Sequence, residues 1–134
     1  MTAADLLVWG LILHALGDYV TQPHWVAVEK TSRHLPAILH GLLYGLPFLL
    51  LTRNPAALAV ITLTHIVIDR YRLARHVIWV KNQFGPRSRR LPWTECRATG
   101  YPPDTPQWLA VGLMIVADNT MHVLINSAAL TWLH

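Results

Sequence analysis

The sequence predicts an all-α polytopic membrane protein: a bundle of four transmembrane helices with a basic cytoplasmic loop. Three observations carry this reading. Hydrophobic residues make up 53% of the chain and charged residues 13%, about half the ~25% charged share of a soluble domain. Mean hydropathy is positive, at +0.33. Four apolar stretches come close to the ~20 residues a helix needs to cross a bilayer. At 134 residues the chain reads as a single domain, 1–134.

The first stretch, residues 5–20, contains "LLVWGLILHALGDYV" and is short for a span. The second, 35–51, holds Pro47, which predicts a kink. The third, 55–72, has Pro55 in its first turn, where the missing N–H costs nothing. The fourth, 107–133, is the longest and clearest. Between the last two lies a basic loop, 73–106. Its first part, "LARHVIWVKNQF", mixes Val77, Ile78, Trp79 and Val80 with Arg75 and Lys81, which suits a helix lying in the interface or extending the third span. Residues 85–106 hold five of the nine prolines and predict a loop. That loop is either a solvated basic tether or, through Arg87, Arg89 and Arg90, a lid or a contact to anionic headgroups. The tryptophans at 25, 79, 93, 108 and 132 read as interfacial anchors.

Charge sets the orientation. Eight of the eleven Lys and Arg residues fall between 70 and 106, and Lys30 and Arg33 lie in the link at 21–34. In a four-span chain these two links share one side. The positive-inside rule makes that side cytoplasmic and leaves both termini outside, in the inner (cytoplasmic) membrane of a bacterium. The net charge of +4 is therefore assigned to a juxtamembrane loop, and no nucleic-acid partner is expected. Cys96 stands alone, which excludes an internal disulfide and a Cys-based zinc site. Asp5, with no Lys or Arg before it, argues against a cleavable signal peptide.

Three of the seven acidic residues, Asp18, Asp69 and Asp118, lie inside the apolar stretches. Carboxylates in hydrocarbon are costly and face partners. Each has a histidine four residues away: "HALGD" pairs His14 with Asp18, "HIVID" pairs His65 with Asp69, and "DNTMH" pairs Asp118 with His122. Residues i and i+4 share a helical face. His40 stands about one turn into the second span. Hydrogen-bonded pairing alone, a proton relay and a bound metal all account for such groups. A divalent cation does so best, because it accepts imidazole and carboxylate and neutralises the accumulated negative charge.

The ligand candidates are His14, Asp18, His40, His65, Asp69, Asp118 and His122. They exceed what one tetrahedral zinc requires, so one ion with carboxylates to spare or two ions are expected. Zinc leads, and Mn, Fe and Co suit the same donors. Gln22 extends His14 and Asp18 into a stripe at i, i+4 and i+8. Lys30 and Arg70 sit near the same boundary, placed for an anionic substrate. Asn119 and Asn126 read as helix–helix hydrogen bonds.

This pattern resembles a family of small integral membrane proteins of bacteria and phages, known only as a domain of unknown function. The family's first span carries His-x-x-x-Asp-x-x-x-Gln followed by Lys, matched by His14, Asp18, Gln22 and Lys30. Its histidine early in the second span is matched by His40, and its third-span His-x-x-x-Asp by His65 and Asp69. Its last motif, Asp-Gln-x-x-His, is met by Asp118 and His122, with Asn119 in place of Gln. The resemblance covers most of the chain but not the 85–106 loop, and it implies no established activity.

A looser likeness to membrane-bound metal-dependent hydrolases implies a reaction type. The expectation is hydrolysis of an amphiphilic anionic substrate, a lipid or a lipid-linked phosphoester or ester, by metal-activated water. Asp69 or Asp118 would act as general base, and Gln22, Lys30 and Arg70 would meet the substrate. The alternatives are a metal-ion or proton transporter or relay, and a structural or interaction membrane protein. A homodimer is expected because four short spans give a site little wall.

Overall fold

The computed structural model describes residues 1–133, and every regular element among them is helical. Helix α1 (Ala3–Ala15) starts on a capping box: Thr2 Oγ1 accepts from the Asp5 amide at 3.2 Å, and the Asp5 carboxylate accepts from the Thr2 amide at 2.7 Å. The helix runs on as a π-turn, Leu16–Val20. A short helix, α2 (His24–Glu29), comes after Pro23 inside the 21–34 link, where the sequence reading has only a connection. Helix α3 (His34–Gly45) continues as a 3-10 segment, Leu46–Leu50. Pro47 lies at this change, because it brings no N–H to the α-helical ladder.

Helix α4 (Pro55–Tyr71) is capped by Asn54, whose Oδ1 accepts from the amides of Ala56 at 2.8 Å and Ala57 at 3.4 Å. It ends at Arg72, which takes the left-handed conformation at φ 51°. The next helix, α5 (Leu73–Asn82), is therefore separate and does not extend α4. Beyond it come a 3-10 turn at Arg87–Arg89, the single turn α6 (Trp93–Cys96), and the long α7 (Gln107–Trp132). The 85–106 stretch thus carries two short helical turns within the predicted loop.

The chain divides into two compact units: Met1–Tyr71 with the residues from His122 onward, and Arg72–Met121. The core of the first joins Leu13, Tyr44, Phe48, Ile61, Ala129 and Leu130. Helices α3 and α4 come together at Gly41 and Gly45. A Cβ on Gly41 would stand 2.2 Å from Ile66 Cγ1, and one on Gly45 2.3 Å from Thr62 Oγ1. Small residues four apart let two apolar helices approach closely.

The second unit is tied by side chains onto loop carbonyls. Trp79 Nε1 donates to Leu91 O at 3.0 Å, and Asn82 Nδ2 donates to Gly100 O at 3.3 Å. Gly100, at φ 85°, allows this loop to lie on α5, since a Cβ there would sit 2.2 Å from Arg75 O.

Among the described residues, two helices are long and apolar enough to cross a membrane: Ala3–Val20 and Gln107–Trp132. Only 22% and 11% of their spanning windows are buried, which differs from the core helix of a soluble protein. His34–Leu50 is a shorter apolar helix.

Candidate metal centre

Three helical segments of the first unit converge on four donor atoms. The π-turn after α1 brings Asp18, α3 brings His40, and α4 brings His65 and Asp69. His40 and His65 point Nε2 at each other at 2.8 Å. Asp18 Oδ1 lies 3.1 Å from His40 Nε2 and 3.3 Å from His65 Nε2. Asp69 Oδ2 lies 3.2 Å and 3.3 Å from the same two nitrogens. One donor from each residue can be chosen so that all four lie within 4.8 Å of one another.

Protons satisfy this arrangement only in part. An ionised carboxylate accepts only, and each Nε2 carries at most one hydrogen. If both nitrogens are protonated, two N–H groups oppose each other at 2.8 Å. If His40 Nε2 is bare, it accepts from His65 Nε2 and from Lys30 Nζ at 3.3 Å, and Lys30 also pairs with Asp69. Both imidazoles are buried, and two carboxylates crowd the same point. A divalent cation between the four atoms would accept all four as donors and balance both carboxylates. The spacing suits one as well: donors at 2.0–2.1 Å around tetrahedral zinc stand roughly 3.3 Å apart, and the five contacts above span 2.8–3.3 Å.

The other predicted residues have different positions. His122 flanks the centre, with Nε2 3.1 Å from Asp69 Oδ1 and Nδ1 3.2 Å from His65 Nδ1. It holds the back of both ligands, as outer partners of metal-binding groups do. His14 is not among the four donors. Its Nδ1 meets Tyr44 Oη at 2.8 Å and lies 3.7 Å from Asp18 Oδ2. Asp118 belongs to the second unit, on α7 one turn before His122.

Lys30 Nζ contacts Asp69 Oδ2 at 2.6 Å and His40 Nε2 at 3.3 Å. Arg70 donates through Nη1 to Thr31 O at 2.9 Å, joining α4 to the link after α2. Gln22 lies past the end of the π-turn, so the expected stripe stops at Asp18. Its Nε2 reaches Asp18 O at 3.3 Å.

Sequence reasoning missed Tyr44. This fully buried ring stacks on His65, centroids 3.6 Å apart and planes 13° off parallel. Its Oη accepts from Asn126 Nδ2 at 2.6 Å, the helix–helix bond expected of Asn126, which leaves the phenolic hydrogen for His14 Nδ1. The signal was present: Tyr44 lies four residues after His40, on the same face, between Gly41 and Gly45.

A family model described as DUF3307, protein of unknown function, matches residues 6–87, the stretch that contains the four converging donors. No curated protein and no solved structure matches the chain.

Proposed function

We propose for this chain, which belongs to the DUF3307 family of proteins of unknown function, a membrane-embedded hydrolase with one divalent metal held by Asp18, His40, His65 and Asp69. The observation that carries the reading is the convergence of these two imidazoles and two carboxylates on one point, at spacings that suit four ligands of a single ion. Zinc fits the donor set first, and Mn, Fe and Co come after it. When bound, such an ion supplies Lewis acidity and a water of lowered pKa.

The chain's own groups complete the chemistry. Asp69 Oδ1 lies 3.1 Å from His122 Nε2, which steadies the carboxylate, and Asp69 is the general-base candidate of this unit. Lys30, at 16% side-chain exposure, reaches the centre from a partly open side. Together with Arg70 it favours an anionic group on an amphiphilic substrate, a lipid or lipid-linked ester. In this reading four helices cross the membrane, residues 21–34 and 73–106 face the cytoplasm, and both termini lie outside. Two long apolar helices with largely unburied surfaces support the membrane part.

One observation favours a second reading, cation or proton transfer. His65 meets His40 through Nε2 at 2.8 Å and His122 through Nδ1 at 3.2 Å, which makes a continuous row of three imidazoles. Metal analysis of the detergent-purified chain beside His65→Ala, with circular dichroism to confirm folding, separates the two. The hydrolase reading expects about one tightly held ion per chain in the wild type and a clear loss in the variant. Folded wild type without metal, together with proton flux in liposomes that His65→Ala abolishes, would move the assignment to the row of imidazoles.

A further inference from the structure

Helix α5 buries one face, at Ala74 and Ile78, within the second unit. Its other face leaves Val77 48% exposed, Val80 49% and Phe84, just past the helix end, 86%. These three fall at i, i+3 and i+7, one apolar stripe. No large hydrophobic side chain among the described residues is more exposed than Phe84.

The basic residues around the stripe divide into two classes. Arg72, Arg75, Lys81 and Arg90 donate to groups of their own unit: Ala98 O, Arg97 O, Tyr101 Oη and Gly85 O. Among the described residues, the guanidiniums of Arg87 and Arg89 enter no hydrogen bond or ion pair, and both are exposed. They stand on the 3-10 turn directly after Phe84. That turn is held in place at its far end: Leu91 O accepts from Trp79 Nε1 at 3.0 Å and from Gln83 Nε2 at 3.3 Å. The stripe and the two free cations are thus displayed together on an ordered loop, so little chain entropy is lost when they bind.

We propose that this face, Val77, Val80 and Phe84 with Arg87 and Arg89 beside them, is a docking surface for an anionic bilayer, the apolar stripe entering the acyl boundary and the arginines taking lipid phosphates. Charge complementarity selects this occupant. The unit carries seven basic and three acidic residues between Arg72 and Met121, so a second copy would be repelled. A nucleic acid would neutralise the arginines yet leave three large apolar side chains in water. The proposal is independent of the metal centre and stands or falls without it.

The test is collisional accessibility of a spin label on the full chain reconstituted in bilayers. Cys96, the sole cysteine and buried, is replaced in Cys96→Ala, and labels are placed by Phe84→Cys and, as a second reporter, Val80→Cys. Bilayers are phosphatidylcholine alone or with phosphatidylglycerol. Both labels are expected to collide with oxygen more than with a water-soluble nickel chelate, and anionic lipid is expected to raise that ratio roughly twofold or more. Adding Arg87→Gln with Arg89→Gln should abolish the lipid dependence. Labels that meet the nickel chelate freely in both bilayers would overturn the proposal. So would spin–spin broadening between copies, which would put a second chain on this face.

Discussion

The His-x-x-x-Asp pattern occurs in α1 and again in α4, and the two copies deliver their side chains differently. Helix α4 is regular throughout, and both His65 Nε2 and Asp69 Oδ2 reach the shared centre, 3.3 Å apart. In the first copy a π-turn begins at Leu16, between the two motif residues. Asp18 still reaches the centre, whereas His14 turns aside to Tyr44. Each i→i+5 bond, such as that from Thr21 N to Leu16 O at 3.0 Å, takes in one residue more than a helical turn and rotates the later residues about the axis. His14 Nδ1 nonetheless stays 3.7 Å from Asp18 Oδ2, so the two motif residues remain neighbours while only Asp18 reaches the four-donor point. One copy therefore supplies two donors, and the other supplies one donor and a buried brace.

The largest effect is expected where α4 meets α3. Gly41→Leu would drive a side chain into Ile66, 2.2 Å from even the first carbon, and should cost at least ~3 kcal/mol. Gly17→Ala, which meets the Tyr44 ring edge at 2.6 Å on the side of the first copy, should cost less, because a ring can shift more readily than two packed helices can part. Thermal unfolding in detergent checks both.

Metal affinity sharpens the contrast between the copies directly. His65→Ala should weaken cobalt binding well beyond about 100-fold, while His14→Ala should cost no more than the roughly 10–100-fold expected of an outer partner. Equal losses would mean that the two copies act alike. Lys30→Met should have a smaller effect of opposite sign. It removes a positive charge 2.6 Å from Asp69 Oδ2, so cobalt should bind roughly tenfold tighter by titration, although the metal-free protein is less stable. Tyr44→Phe should change least: the ring still stacks on His65, and the loss of the bonds to His14 and Asn126 should cost about 1–3 kcal/mol by thermal unfolding, with cobalt affinity nearly unchanged.

Much of the helical framework was legible. The predicted stretches 5–20, 35–51, 55–72 and 107–133 correspond to Ala3–Val20, His34–Leu50, Pro55–Tyr71 and Gln107–Trp132. Apolar runs bounded by Asn54-Pro55, Pro106 and polar links mark such ends strongly. The left-handed Arg72 and the short helices α2 and α6 were not legible, because single turns rest on tertiary contacts more than on a repeating pattern. Of the centre, Asp18, His40, His65 and Asp69 could be named from charge placed in apolar sequence. The contact of His14 with Tyr44 could not, since spacing does not say which residue of another helix an imidazole meets. Tyr44 went unnoticed because an aromatic residue in an apolar helix is ordinary. Lys30 could be named from the sequence, but its reach to Asp69, 39 residues away, is a product of the fold.

The central claim is that two imidazoles and two carboxylates from three helical segments hold one cation. X-ray absorption at the metal edge, on the chain purified with its metal or loaded with cobalt, tests it most directly. The account predicts a shell of about four nitrogen and oxygen neighbours near 2.0–2.1 Å, with outer-ring scattering from two imidazoles and that scattering reduced in His65→Ala. A spectrum without imidazole scattering, or no bound ion in folded protein, would contradict it.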